Sequence, residues 1–481
     1  MDELQGLALD RNTGWILLGI FGIAWVALGL FWGRKAKNHE GFSLAGRNVG
    51  MALGAATTMA TWVTSNTIML APKFALEMGI WGMLAYSTAS FGLFLFAPMA
   101  WRIRRLLPKG FTSGDFIRLR YGRRVWVLFL LVSGIYSIAW LVTMAMAGGV
   151  VLQTLSGIEY RFGMSVILLV CVLYTLFGGL YAVIGTDFIQ SLIILFGVVV
   201  VGIAAIWQVD LPSVHMHLAT EQPALLDVLM PVALLALFNN LFFGFGEIFH
   251  NNVWWTRAFA LRGDISHKAF FLSGALWFPI PIAAGFIALC AAPLGINVID
   301  PDGVGPLVAS HLLGSAGAIV VFVVVFCSLA SSIDSLLAAT SELIVQDVYR
   351  KWLRPQAGER ELRRLGSLVI VLLGLITWAL SLPRLGELNI VLFLSGPLVA
   401  SVIFPVISGL YWSRAGNEGA FCAILAGSGI GLYTYFSIGW YAASLVSAVV
   451  SLVVVLLFMA FPRKPFDWST LDESKLSHSK S

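Results

Sequence analysis

The segment from Cys327 to Tyr349, CSLASSIDSLLAATSELIVQDVY, lies in a run long enough to cross a bilayer, yet it carries Ser328, Ser331, Ser332, Asp334, Ser335 and Glu342. A carboxylate near the bilayer centre costs several kcal/mol, about 3 or more, so an acid placed there is expected to face a cavity and handle an ion or a solute. Positions 328, 331, 332 and 335 differ by three, four and seven, which sets them on one helix face. Two other stretches are equally poor lipid-facing helices. One gathers Thr57, Thr58, Thr61, Thr64, Ser65, Asn66 and Thr67 within 48–70; the other gathers Asn239, Asn240, Gly244, Gly246 and Glu247 within 234–255. Both read as discontinuous spans whose freed backbone could line a site. Single glycines such as Gly54 or Gly148 read as ordinary helix packing.

These clusters sit in a chain of 481 residues that is 59% hydrophobic and 11% charged, a balance that leaves no room for a sizeable soluble domain. Thirteen hydrophobic runs of spanning length follow one another: near 15–32, 48–70, 80–101, 125–154, 163–184, 188–208, 228–256, 269–292, 317–347, 366–382, 388–412, 418–437 and 440–461. The expected fold is therefore an all-α integral membrane protein. Its two interrupted spans stand five spans apart, the pattern of an inverted repeat with its site at the midplane. A core over 45–412 would hold repeats at about 45–208 and 227–412, with a peripheral helix in 1–44, two more in 413–461, and a tail over 462–481.

Charge orients this arrangement. With the N-terminus outside, only Arg11, Lys73, Arg161 and Arg384 of the 30 Lys and Arg lie in outer segments, which satisfies the positive-inside rule. The net charge of +5 is then topological and gives no sign of a nucleic-acid partner; the basic loops face membrane lipid. The expected location is the plasma (inner) membrane, multi-pass, with the C-terminus cytoplasmic. Cys171, Cys290, Cys327 and Cys422 all fall in hydrophobic runs and read as buried thiols. The acidic start MDELQGLALDR does not look like a signal peptide.

Three passages, GFSLAGRNVGMALGAATTMATWVTSNT (41–67), LFGGLYAVIGTDFIQ (176–190) and SLASSIDSLLAATSELIVQDVYR (328–350), resemble in order and spacing the motifs of the sodium/solute symporter family. Within it, GEIFHNNVWWTRAFA (246–260) and FLSGALWFPIPIAAGF (271–286) look closest to the urea and polyamine branch. The resemblance implies a LeuT-like five-plus-five repeat and a sodium site built from the carbonyls of Ala60, Val63 and Ser328 with the hydroxyls of Ser331 and Ser332. It further implies, as in some family members, a second cation position at Asp187, the acid of the GTD motif, with Ser331, Asp334 and Ser335. Asp334 departs from the family, where a hydroxyl or small residue is usual. Two carboxylates facing one small site repel, so either a cation lies between them or one carries a proton.

A solute held between the broken helices would meet Thr64, Asn66, Thr67, Asn240, Phe243, Phe245 and Glu247, with Tyr136 or Trp140 from a third span. This polar cup with aromatic lids suits a small hydrogen-bonding solute of the urea, amine or amino acid class, and Glu247 favours an amine. Glu342 lines the inner exit or pairs with an inner arginine, Asp347 forms a surface ion pair, and His250 is a packing residue. The expected function is symport by alternating access, coupled to Na+ or alternatively to H+. No enzyme chemistry is expected, since Ser331 has no His or metal partner near it. A membrane sensor would need a separate signalling partner; no obligate protein partner is evident.

Overall fold

The computed structural model describes residues 8–34, 39–461 and 464–471. Among them eleven helices are long and apolar enough to cross a membrane, and the one strand-like pairing is a parallel bridge between Val49 and Leu261. The chain is an all-helical, multi-pass membrane protein. The expected tail over 462–481 falls mostly outside the described residues, as do residues 1–7.

The thirteen expected runs and these eleven helices are reckoned differently where neighbouring segments meet at a glycine or a short turn. The segment Ser65–Ser87 is interrupted at Gly79, and its second part passes through the short turn Thr88–Ser90 into Phe91–Leu106, so the run at 80–101 starts just after that glycine. The runs at 163–184 and 188–208 meet within Tyr160–Gln208, where the helix is interrupted at Gly179 and not at the expected boundary after 184. Gly79 and Gly179 have φ of 62° and 54°, in the left-handed region where a Cβ is penalised, and each separates two helical segments. Asp187 consequently lies well inside the helical segment that follows Gly179.

The first interrupted span breaks as expected. The helix Met51–Trp62 stops, Val63 (φ −80°, ψ 80°) and Thr64 (φ −80°, ψ 165°) are non-helical, and Thr64 caps the next helix by accepting from the Thr67 amide at 3.2 Å. The second break lies elsewhere than the sequence indicates. Asn239, Asn240, Gly244, Gly246 and Glu247 all belong to one continuous helix, Pro231–His250, and the chain breaks at Asn251 (φ −71°, ψ 130°) before the helix Asn252–Ala260. Gly244 and Gly246 serve close approach there, lying against Ala89 and Val399 where a Cβ would collide. Asn251 makes the break by accepting from the Val253 amide at 3.0 Å.

The half-helices Met51–Trp62 and Asn252–Ala260, expected to face inward, are tied end to end. The Val49 amide donates to the Ala260 carbonyl, and the Arg262 amide to the Val49 carbonyl, both at 3.1 Å. Behind them runs Val304–Leu343, whose backbone is non-helical at Gly314 (φ 60°, ψ −151°) and which continues as a π-helix over Ile344–Leu353. It packs against Tyr160–Gln208 and Arg123–Ser156, while Arg11–Gly33 lies along the outside of Tyr160–Gln208 and Asn417–Ser437 pairs with Trp440–Met459.

Candidate functional site

A helix that stops inside a membrane leaves its last carbonyls without intrahelical donors. At the first break the Met59 carbonyl takes the Val63 amide (2.9 Å), the Thr61 carbonyl takes the Ser332 hydroxyl (3.0 Å), and the Trp62 carbonyl takes the Trp277 indole (2.7 Å). The carbonyls of Ala60 and Val63 accept no hydrogen bond among the described residues, although both residues are fully buried. These are two of the three carbonyls that the family resemblance implies as ligands; the third, that of Ser328, accepts the Ser332 hydroxyl at 2.9 Å. Buried, undonated carbonyls are costly unless something else fills their lone pairs.

The helix Val304–Leu343 supplies the facing oxygens. Ser332 donates to Thr61 and also to the Ser328 carbonyl one turn earlier (2.9 Å), so it links the break to the helix that carries it. Ser328 donates from its own hydroxyl to Val324 (2.7 Å). Ser331 points the other way, toward Asp187 (2.5 Å). Of the expected set, Ser332 is thus bonded to the break itself, while the Ser328 hydroxyl turns to Val324 and the Ser331 hydroxyl to Asp187; oxygen donors of this kind suit a hard monovalent cation.

At the expected second cation position the structure holds a side chain that sequence reasoning missed. Arg257, from the half-helix Asn252–Ala260, is 1% exposed and pairs with Asp187 at 3.2 Å. Its Nη2 also donates to Thr61 (2.5 Å) and Ser335 (2.8 Å), its Nε to Thr57 (3.3 Å), and its Nη1 to the Val253 carbonyl (3.2 Å). Asp187 accepts further bonds from Thr57 (2.5 Å) and Ser331 (2.5 Å). The signal was an arginine flanked by NVWWT and AFA, which the topology argument absorbed as an inner-loop charge. Asp334 is also fully buried, but neither of its carboxyl oxygens has a hydrogen-bond partner among the described residues.

On the other side of the break lies a cavity of about 20 Å³ lined by Thr64, Asn66, Thr67, Tyr136, Trp140, Asn240 and Phe243, all expected, together with Trp62, Tyr86, Ala89, Trp277 and Leu392. Two expected solute residues lie elsewhere. Phe245 stacks on Phe249, with ring centroids 5.8 Å apart. Glu247 takes the Trp254 indole N–H (2.9 Å to Oε2) and the Asn251 amide (3.1 Å), so it braces the second break and does not reach the cavity. Asn240 spends its amide on the Ala85 (2.7 Å) and Tyr86 (2.9 Å) carbonyls. The polar atoms left over are the Trp62 indole N–H and the Asn66 carbonyl oxygen, one donor and one acceptor without partners among the described residues.

Nearer the inner face, Glu342 accepts from Ser43 and Gln346, both at 2.8 Å, and borders a small cavity with Ser335 and Thr256, in keeping with an inner-exit position. Asp347 is not the surface ion pair expected of it. It is fully buried and accepts from Thr112 (2.6 Å), Trp126 (3.0 Å) and Lys351 (2.9 Å), because the π-helix turns it inward. His250 packs as expected, with its Nδ1 2.7 Å from the Gly246 carbonyl and its ring edge-on to Tyr136.

The sequence model of the sodium:solute symporter family matches residues 42–427. The chain is 25% identical over 439 residues to the urea-proton symporter DUR3 of Oryza sativa subsp. japonica, covering 83% of this chain and 61% of that one. It is 24% identical over 465 residues to the urea active transporter of Saccharomyces cerevisiae, covering 89% and 63%. The osmoregulated proline transporter OpuE of Bacillus subtilis is 25% identical, with 86% and 87% covered. The chain therefore spans less than two thirds of the length of those two urea transporters. Among solved structures, a Na+-coupled sialic acid symporter in a substrate-bound outward-open state superposes with a TM-score of 0.78 at 18% identity, covering 94% and 99% of the two chains. The nucleobase-cation symporter Mhp1 gives 0.57 at 15% identity, covering 89% and 96%.

Proposed function

Because the chain belongs to the sodium:solute symporter family, whose members here are transporters and not enzymes, we propose that it imports a small, uncharged hydrogen-bonding solute with sodium as the coupling ion. The observation that carries this is the pair of buried, undonated carbonyls at Ala60 and Val63 beside the Ser332 hydroxyl. Sodium as co-substrate would be held there by those carbonyls with Ser328 and Ser331. Ser332, which joins the same spot to Val304–Leu343, makes ion occupancy and the packing of the broken helix one event.

The solute class is narrowed by what lines the cavity. With Glu247 withdrawn, its lining is aromatic, hydroxyl and amide, with no ionised side chain, so an amine has no counter-charge. A free indole donor and a free amide acceptor suit a urea- or amide-like solute, and two of the relatives named above are urea transporters. The proposal extends to the thirteen-span count, the five-plus-five repeat over about 45–208 and 227–412, an outer N-terminus and the plasma membrane as location; the breaks at Val63 and Asn251 and the positive-inside charge pattern support it.

Proton coupling is the second reading. It is favoured by Asp334, whose buried carboxyl has no partner among the described residues, and by the proton-coupled rice relative. Uptake of labelled urea and proline into proteoliposomes separates the two. A sodium gradient that drives uptake at equal pH on both sides supports the proposal. Uptake driven only by an inward proton gradient replaces it with the second reading, and no uptake under either gradient overturns both in favour of a sensor.

A further inference from the structure

We infer that Arg257 is a tethered cation that occupies the second ion position permanently, so that no free ion binds between Asp187 and the Ser331–Ser335 face. This rests on the sodium site proposed above. The residues around the guanidinium form an ion site in every respect but its occupant: one carboxylate and the hydroxyls of Thr57, Thr61, Ser331 and Ser335, drawn from three helices. Three of those hydroxyl oxygens and one Asp187 oxygen lie 2.5–3.3 Å from guanidinium nitrogens. Such a nest of oxygens inside a membrane calls for a positive charge, and a planar fork with several N–H donors satisfies it more completely than a point charge.

Tethering changes what the position can do. A mobile ion there would be released inward in each cycle and would add its own gradient to the driving force. Arg257 cannot leave, so the position contributes cohesion and no driving force. Its bonds join the inner halves of both broken helices, through Thr57 and Thr61 on one and its own backbone on the other, to Tyr160–Gln208 and Val304–Leu343. One free coupling ion per solute follows, bound at the Ala60–Ser332 position alone.

The test is thermal unfolding of the purified full-length protein in sodium chloride, with choline chloride as the control at equal ionic strength. Wild type is expected to show a single saturable sodium shift that is lost in the Ser331→Ala, Ser332→Ala variant. Arg257→Ala, which empties the position, is expected to melt lower, to recover on adding millimolar guanidinium, and to gain a second sodium phase that Asp187→Asn removes. Should Arg257→Ala not fold, Arg257→Gln keeps the volume and removes the charge; it is expected to gain sodium stabilisation that the Asp187→Asn, Arg257→Gln variant lacks. Arg257 variants that melt like wild type and respond to sodium only as wild type does would overturn the inference, as would rescue that is unchanged in the Asp187→Asn background. A wild type with no sodium shift would remove the proposed sodium site, while guanidinium rescue would still decide on Arg257.

Discussion

Two groups of charged side chains hold this protein together, and they obey different rules. At the outer end Lys73 reaches Asp302 (3.0 Å), Glu387 (2.6 Å) and Asn389 (2.9 Å), and Arg384 reaches Asp300 (2.6 Å) and Asp302 (3.5 Å). With Glu77 at 4.0 Å from Lys73, four acids share two bases there. Deep inside the helix bundle Asp187 pairs with Arg257 at 3.2 Å, while Asp334 has no hydrogen-bond partner among the described residues. Both groups carry surplus negative charge, but the outer surplus rests on side chains that meet water: Glu387 is 52% and Glu77 39% exposed. The inner surplus rests on Asp334, which is 0% exposed. Water screens the first surplus at little cost, whereas a buried uncompensated acid is expensive and persists where it has a task. An imbalance is therefore informative only where solvent cannot correct it.

This contrast can be broken most forcefully at Asp187. Asp187→Asn leaves a buried guanidinium unpaired and is expected to cost about 3–5 kcal/mol in thermal unfolding, with the Asp187→Asn, Arg257→Gln variant regaining most of it. An equal loss in the single and double variants would show that the pair matters only through packing. At the outer group Lys73→Gln is expected to cost less, about 2 kcal/mol, because Arg384 and the Leu388 amide still hold Asp302. Its clearer effect is on access: a cysteine at Thr67 should react several-fold faster with a membrane-impermeant maleimide, since Lys73 joins the outer half of the first broken helix to the segment at 387–389. Unchanged labelling would mean the outer group is not a closure.

The Ser331→Ala, Ser332→Ala variant should raise the half-saturating sodium concentration at least about tenfold, or about 1.4 kcal/mol, while leaving the outer group intact. The smallest effect is expected at the inner surface, where Asp115 pairs with Lys351. Burial alone would raise the Asp115 carboxyl, but the Lys351 ammonium and the Phe111 and Thr112 amides outweigh it and hold it below the usual carboxylate range. A depressed folded-state value stabilises at neutral pH and is lost as the pH falls through it. The melting difference between wild type and Asp115→Asn should accordingly be present at pH 7 and fade below about pH 4. A difference that persists there would assign Asp115 a role beyond its charge.

Much of the lining of the cavity beside the first break was legible in the sequence, since a Thr64–Thr67 cluster that cannot face lipid must face inward. Glu247 shows where that logic stops. Its type and depth mark it as buried, but whether it meets a solute or a tryptophan depends on Trp254, seven residues on, and on the turn at Asn251 that brings the indole back. The second break was misplaced for a related reason. Gly244 and Gly246 read as breakers by composition, and only the neighbouring backbones at Ala89 and Val399 reveal that they are contact points in an intact helix.

By itself the sequence determined that this chain lives in a membrane, which end of each loop is basic, and that hydroxyls and acids gather on one face of Val304–Leu343. Those properties follow from hydropathy and helical period, which are local. Only the tertiary structure decided that Arg257 meets Asp187, 70 positions away, that Ser332 reaches Thr61, and that the Asp334 carboxyl has no hydrogen-bond partner among the described residues. The reach of a long side chain and the pairing of buried charges are set by which helices pack together, and no local period encodes that.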